Sequence, residues 1–217
     1  MSQKKLWIAL AAVIVVSFAV LLFYGNQIYQ QAPPVPEQVV DETGKLLFTG
    51  REIKEGQNIW QSIGGQEIGT VWGHGAYVAP DWTADYLHRE AQFLLNKWSE
   101  ETYGNLFDSL SNEQKATLQS RLQSFLRRNT YDEASGILVI SAERYEAFLH
   151  NKAHYAGLFM NSPALNELRA SYAIAKNTIK TEERMDKMVQ FFFWASWACV
   201  TNRPGQEITY THNWPPD

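Results

Sequence analysis

The residues of this 217-residue chain with the greatest capacity for chemistry are five histidines, one cysteine and a glycine-rich loop. His150 and His154 stand four apart, so on a helix both would face one way. Zinc hydrolases use that spacing with a glutamate directly after the first histidine, but here Asn151-Lys152-Ala153 intervene and no third ligand is evident nearby. They read as surface or half-buried histidines. Asp85, His88, Arg89 and Glu90 crowd one helical segment and read as a solvated face in preference to an acid–base pair. The single cysteine, Cys199, excludes an internal disulfide, a cysteine-pair metal site and covalent haem attachment. The sequence contains no G-x-S-x-G elbow, no Walker loop and no G-x-G-x-x-G after a strand. The most specific element is Gly73-His74-Gly75-Ala76-Tyr77. Its glycines allow backbone carbonyls to approach a ligand or metal closely; a turn with an aromatic anchor is the plainer reading.

The elements that would position these groups are mainly helical. Thr49 can cap a helix over 49–62, and residues 63–80 hold five of the 13 glycines, a long loop with little regular structure. Periodicity resumes at Asp81 as a cap, with Trp82, Tyr86, Phe93, Leu94 and Trp98 as a buried stripe and Gly104 closing the helix. Ser111 and Gln114 form a capping box for a helix to about Arg128. Residues 136–140 predict a short, isolated strand. Ser141 then caps a helix to about Phe159, Ser162-Pro163 starts another, and Thr181 starts the last. That last helix carries Phe191, Phe192, Phe193, Trp194 and Trp197 and is apolar on nearly all faces, so it is either sandwiched in a core or set against a subunit or lipid.

Residues 6–24, LWIALAAVIVVSFAVLLFY, hold no charge and are long enough to cross the hydrocarbon layer as a helix. A cleaved signal would want a shorter apolar run and a small-x-small site. Lys4 and Lys5 precede the span and no basic residue follows until Lys45, which places the N-terminus in the cytoplasm and the rest outside it. The expected organisation is an anchor over 1–31, a linker over 32–48 and an extracytoplasmic domain over 49–217. The 19 basic residues less Lys4 and Lys5 leave 17 against 23 acidic in the exported part, a net of −6, which opposes nucleic-acid binding.

Together the segments W-x11-WGHGAYxAPD (from Trp60), FFFWASWA (from Phe191), TNRPG (from Thr201) and ITYTHNWPP (from Ile208) resemble the N-terminal portion of quinol-dependent respiratory nitric oxide reductases. The resemblance spans essentially the whole chain. It implies a cytochrome c-like helical domain that carries no haem c, descended from the same module as a haem-bearing relative. In that relative a tryptophan is followed after four residues by C-x-x-C-H and then by a Gly-x-Gly-Ala-Tyr loop. The same offsets from Trp60 fall on Gly65, Ile68 and Gly69, which supply neither thiol nor axial imidazole.

The resemblance further implies that electrons pass from quinol directly to a multi-span, haem-copper-type membrane bundle holding b-type haems and non-haem iron. That bundle would be the partner of this chain, in one polypeptide or as a separate subunit, because the sequence ends near where a second span is expected. The complex would reduce two nitric oxide molecules to nitrous oxide and water at the cell membrane, with this domain as a structural cap on its periplasmic side. No residue of this chain is expected to be catalytic. In the haem-bearing relatives the loop helps bind calcium at the subunit interface, and the matching positions are Gly75 and Tyr77. Trp72, His74, Tyr77, Trp194, Trp197, Tyr210 and Trp214 are expected to form the contact surface, since aromatics favour interface cores. A single-span sensor or ligand-binding ectodomain would explain the anchor and the glycine loop equally well. It would not explain the tail, and only about five residues precede the span for an output domain. A soluble hydrolase lacks a nucleophile or metal set.

Overall fold

The computed structural model describes residues 2–73 and 75–212. It divides into two compact units, Met1–Pro34 and Val35–Asp217. The first is essentially one helix, α1 (Gln3–Gln31), none of whose residues is buried, and which is long and apolar enough to cross a membrane.

The second unit is mainly helical around a small sheet. Strands β1 (Gln38–Asp41) and β2 (Leu46–Thr49) lead into α2 (Gly50–Ser62) and the one-turn α3 (Gly65–Ile68). After the glycine-rich loop come α4 (Trp82–Tyr103) and α5 (Asn112–Arg127), then β3 (Tyr131–Asp132), β4 (Ile137–Ile140) and α6 (Ala142–Ala156). α6 ends in a π turn, Gly157–Asn161, before the short α7 (Asn166–Ser171) and the last helix α8 (Glu182–Val200). The expected single helix to Phe159 therefore stops three residues early as an α-helix. Arg169 explains how its end is satisfied: this buried guanidinium donates to the carbonyls of Gly157, Leu158 and Ser162 and to Asn166 Oδ1.

Residues 32–48 are not a linker. They contain β1 and β2, and Val39 and Phe48 lie in the core. Nor is 137–140 isolated: the sheet order is β2-β1-β4-β3, with β1 parallel to β4 and Val39 opposite Leu138. The helix starts follow the caps. Thr49 and Glu52 close a capping box on α2, Ser111 and Gln114 another on α5, and Asp81, Ser141 and Thr181 accept from first-turn amides. Gly104 ends α4 in the left-handed conformation.

α8 is the axis of the core. Every residue from Met188 to Val200 is buried, within the domain itself and without lipid or a second chain. α2, α4 and α6 pack around it. Gly56 lets α2 approach closely, because a Cβ there would collide with the Lys187 carbonyl of α8. The sandwiched reading of the apolar helix thus holds, and the alternatives of lipid or subunit contact are not needed to account for it.

Candidate functional site

The glycine-rich segment is a cinched loop whose neck is built from Thr70 and Asp81. Trp82 N–H donates to the Thr70 carbonyl at 2.8 Å, and Thr70 Oγ1 donates to Asp81 Oδ2 at 2.7 Å. The same Oδ2 accepts from Gly73 N–H at 2.8 Å, while Thr70 Oγ1 accepts from Gly75 N–H at 2.9 Å. The other carboxylate oxygen, Oδ1, caps α4 through Thr83 and Ala84 N–H. One aspartate therefore starts a helix and ties the loop to it. Sequence reading finds only the cap; the second role depends on Thr70, eleven residues upstream, and carries no local signature.

Trp72 pins the loop to α8. Its indole Nε1 donates to the Ala195 carbonyl at 2.7 Å, its ring lies 5.3 Å from that of Trp194, and its backbone has φ +56°. A bulky residue in the left-handed region is strained and persists only where its surroundings fix it. Beyond the pin, Ala76 N–H meets the Ala79 carbonyl, and Tyr77 stands wholly in solvent at 109% relative exposure. Gly75 takes φ +80°. An open depression between this loop and Tyr172 includes Gly75, Tyr77 and Pro80.

Behind the neck lies an aromatic wall. A Cβ on Gly65 would meet the Trp60 indole, and one on Gly69 would meet the Trp82 indole and the Pro80 carbonyl. Trp82 is itself enclosed by Tyr155, Phe159, Tyr172 and Phe192. Positions 65 and 69 are thus backbone surfaces against which two indoles pack.

The remaining sequence candidates divide. Of the expected contact residues, Tyr77 is exposed and Trp72 half-buried, but Trp194, Trp197 and Tyr210 are buried inside the domain at 8%, 0% and 6% exposure. Their stacking partners are the domain's own: Trp72 and Phe191 for Trp194, Tyr131 and Tyr210 for Trp197. Trp194 and Trp197 belong to the core because α8 is wrapped on all sides, and Tyr210 because the tail folds its ring onto Trp197 and its hydroxyl accepts from Asn129 Nδ2, so the three are not a contact surface. His74 and Trp214 lie outside the described residues.

The segment read as a solvated face is also different. Glu90 is fully buried and its Oε1 accepts from Arg144 Nε at 2.9 Å. Burial pushes the Glu90 carboxyl up, and the Arg144 charge offsets this only in part. Asp85 accepts from Arg89 and from Tyr155 Oη at 2.7 Å, while His88 is exposed. His150 is exposed and stacks on Phe93; His154 is half-buried, and burial followed by the Arg89 charge lowers it to about 4. Among the described residues no three His, Cys, Asp or Glu side chains converge as a metal site. Cys199 is buried, and burial pushes its thiol up, away from the reactive thiolate.

Residues 36–216 match the family profile of the NorB cytochrome c-like domain of nitric oxide reductase. The chain belongs to that family. The match begins one residue inside the compact unit that starts at Val35, and it covers the sheet, the helices and the cinched loop. In this member of the family Gly65 packs against the Trp60 indole and Gly69 against the Trp82 indole. A comparison with curated proteins finds no match.

Proposed function

We propose that this domain is a haem-free structural cap on the extracytoplasmic face of a quinol-dependent nitric oxide reductase. The cap would sit on the multi-span bundle whose b-type haems and non-haem iron reduce nitric oxide to nitrous oxide. α1 anchors it, with Lys4 and Lys5 on the cytoplasmic side. Quinol electrons reach the bundle without passing through this domain.

The observation that carries the reading is the packing at positions 65 and 69. A covalently held haem c needs two thiols and an imidazole. Gly65, Ile68 and Gly69 offer none of them, and at both glycines the indoles of Trp60 and Trp82 stand where a side chain would begin. Cys199 is buried on α8 and belongs to no C-x-x-C-H motif. The residues present do not fit the haem of a c-type cytochrome, so the domain's part in the reaction is positional.

Tyr77 is the contact residue on this reading, held outward by the Thr70–Asp81 neck. Calcium would bind here as a shared ion, with the Gly75 carbonyl and Tyr77 contributing and the partner completing the six to eight oxygens that calcium takes. The engagement of both Asp81 oxygens within the chain supports a shared site over a self-contained one.

The test is to express the full chain in a host that matures c-type haems and to record a pyridine haemochrome spectrum. No haem band and no nitric oxide consumption by the chain alone are expected. A stoichiometric haem c band would end the proposal. Co-purification with the histidine-bearing bundle should depend on Tyr77, and calcium should bind the complex but not the isolated chain.

A further inference from the structure

Four side chains at the seam between α4 and α6 point to a site that neither the fold nor the family reading uses. Tyr86 and Glu90 stand one turn apart on α4; Arg144 and Asn151 stand two turns apart on α6. All four residues are more than nine-tenths buried. They are tied in pairs across the seam: Arg144 Nε donates to Glu90 Oε1 at 2.9 Å, and Asn151 Nδ2 donates to the Tyr86 carbonyl at 3.1 Å. Each nevertheless retains one buried polar atom with no hydrogen-bond partner among the described residues: Tyr86 Oη, Glu90 Oε2, Arg144 Nη2 and Asn151 Oδ1.

Tyr86 and Glu90 lie four apart on one face of α4 and each is hydrogen-bonded to α6, so the four residues form one neighbourhood. Burial and the Glu90 charge push the Tyr86 phenol up, while the Arg144 charge and the Asn151 side chain act the other way. Their chemistry is complementary to a single kind of ligand. Glu90 Oε2 and Asn151 Oδ1 accept, Arg144 Nη2 donates, and Tyr86 Oη can do either. A molecule with two donors and two acceptors closes this set; a cation would face the Arg144 guanidinium and an anion the Glu90 carboxylate. A cleft of about 40 Å³ lined by Glu42, Arg128, Ser141 and Arg144 reaches one edge of the cluster from the surface, and it has room for a water molecule.

We propose that Tyr86, Glu90, Arg144 and Asn151 form a built-in hydration site that holds ordered water between α4 and α6, exchanging with solvent through the Arg144 cleft. Buried polar atoms are paired with protein or with ordered water in the great majority of folded proteins. Here the donor and acceptor tally matches one tetrahedral water or a short chain of them. The site is independent of whether the domain caps a reductase.

A crystal structure of the full chain at a resolution that shows ordered water tests it directly. Density is expected within hydrogen-bonding distance of at least three of the four atoms. Direct closure of the four atoms on one another, or an empty seam, overturns the proposal. Hydroxyl-radical footprinting gives a solution readout, because bound water generates the oxidant beside its ligands. Tyr86 should be oxidised several-fold faster than the equally buried Phe193; equal protection of both rings would also overturn it. Both measurements use the native chain, so no variant has to fold.

Discussion

The Trp72 indole meets the Ala195 carbonyl of α8 at 2.7 Å while the Trp72 backbone holds φ +56°, so one strained residue joins the glycine-rich loop to the central helix. Trp72→Phe keeps an aromatic ring and the strain but removes the donor. The variant should lose about 1 kcal/mol in urea unfolding, the net worth of one hydrogen bond. Chymotrypsin, which has exposed Tyr77 as a target in the same loop, should cleave the variant sooner than the parent. Unchanged cleavage would mean that the Thr70–Asp81 neck alone holds the loop.

Asp81 separates the two jobs of its carboxylate. In Asp81→Asn the side-chain oxygen can still cap Thr83 and Ala84, but an amide now faces the Gly73 N–H and the Thr70 hydroxyl. The loss should be about 1–2 kcal/mol, and Asp81→Ala should lose more, since helix capping is removed as well. Circular dichroism should show near-parental helix in the asparagine variant, with hydrogen exchange accelerated at Gly73 and Gly75.

At the α2–α8 crossing the limit is steric. Gly56→Ala places a methyl group against the Lys187 carbonyl and the Phe191 side chain, and backbone cannot move aside as a flexible side chain can. A loss of about 1–3 kcal/mol or more is expected from overpacking. Gly44→Ala is the control: φ is +83° and space is open, so only the backbone cost of about 1 kcal/mol applies. Thermal unfolding of the two variants should rank Gly56→Ala the less stable.

His154 gives the domain an acid-sensitive term. Its folded value of about 4 lies below the ordinary 6.5, so between these limits the unfolded chain binds more protons than the folded one. Its contribution to stability is therefore full above pH 6.5 and is lost as pH falls toward 4. Glu90 acts in the opposite sense: its raised carboxyl makes the folded state the better proton acceptor, so its contribution weakens as pH rises through the folded value. Urea midpoints measured from pH 7 to pH 4 should fall less steeply in His154→Gln than in the parent. Identical slopes would show that His154 is not the titrating group.

How much of this could be read in advance follows the range of the interactions. Thr49 with Glu52, Ser111 with Gln114, Asp81, Thr181 and Gly104 were legible because a cap is settled within about four residues of chain. The charge-free run at 6–24 and the lack of a C-x-x-C-H motif were legible for the same reason: each is a property of consecutive residues. The core strands β1 and β2 were hidden in a proline-bearing stretch, since Val39 becomes a core residue only when Leu138 lies beside it.

The sequence by itself determined the helix starts, the candidate span, the absence of a C-x-x-C-H motif and the family. The tertiary structure alone decided that Trp194, Trp197 and Tyr210 face inward, that Glu90 lies buried against Arg144, and that Asp81 ties a loop as well as a helix. A residue's type fixes what bonds it can make. Whether it meets water, a partner 54 positions away or a neighbouring helix depends on how the whole chain closes around it.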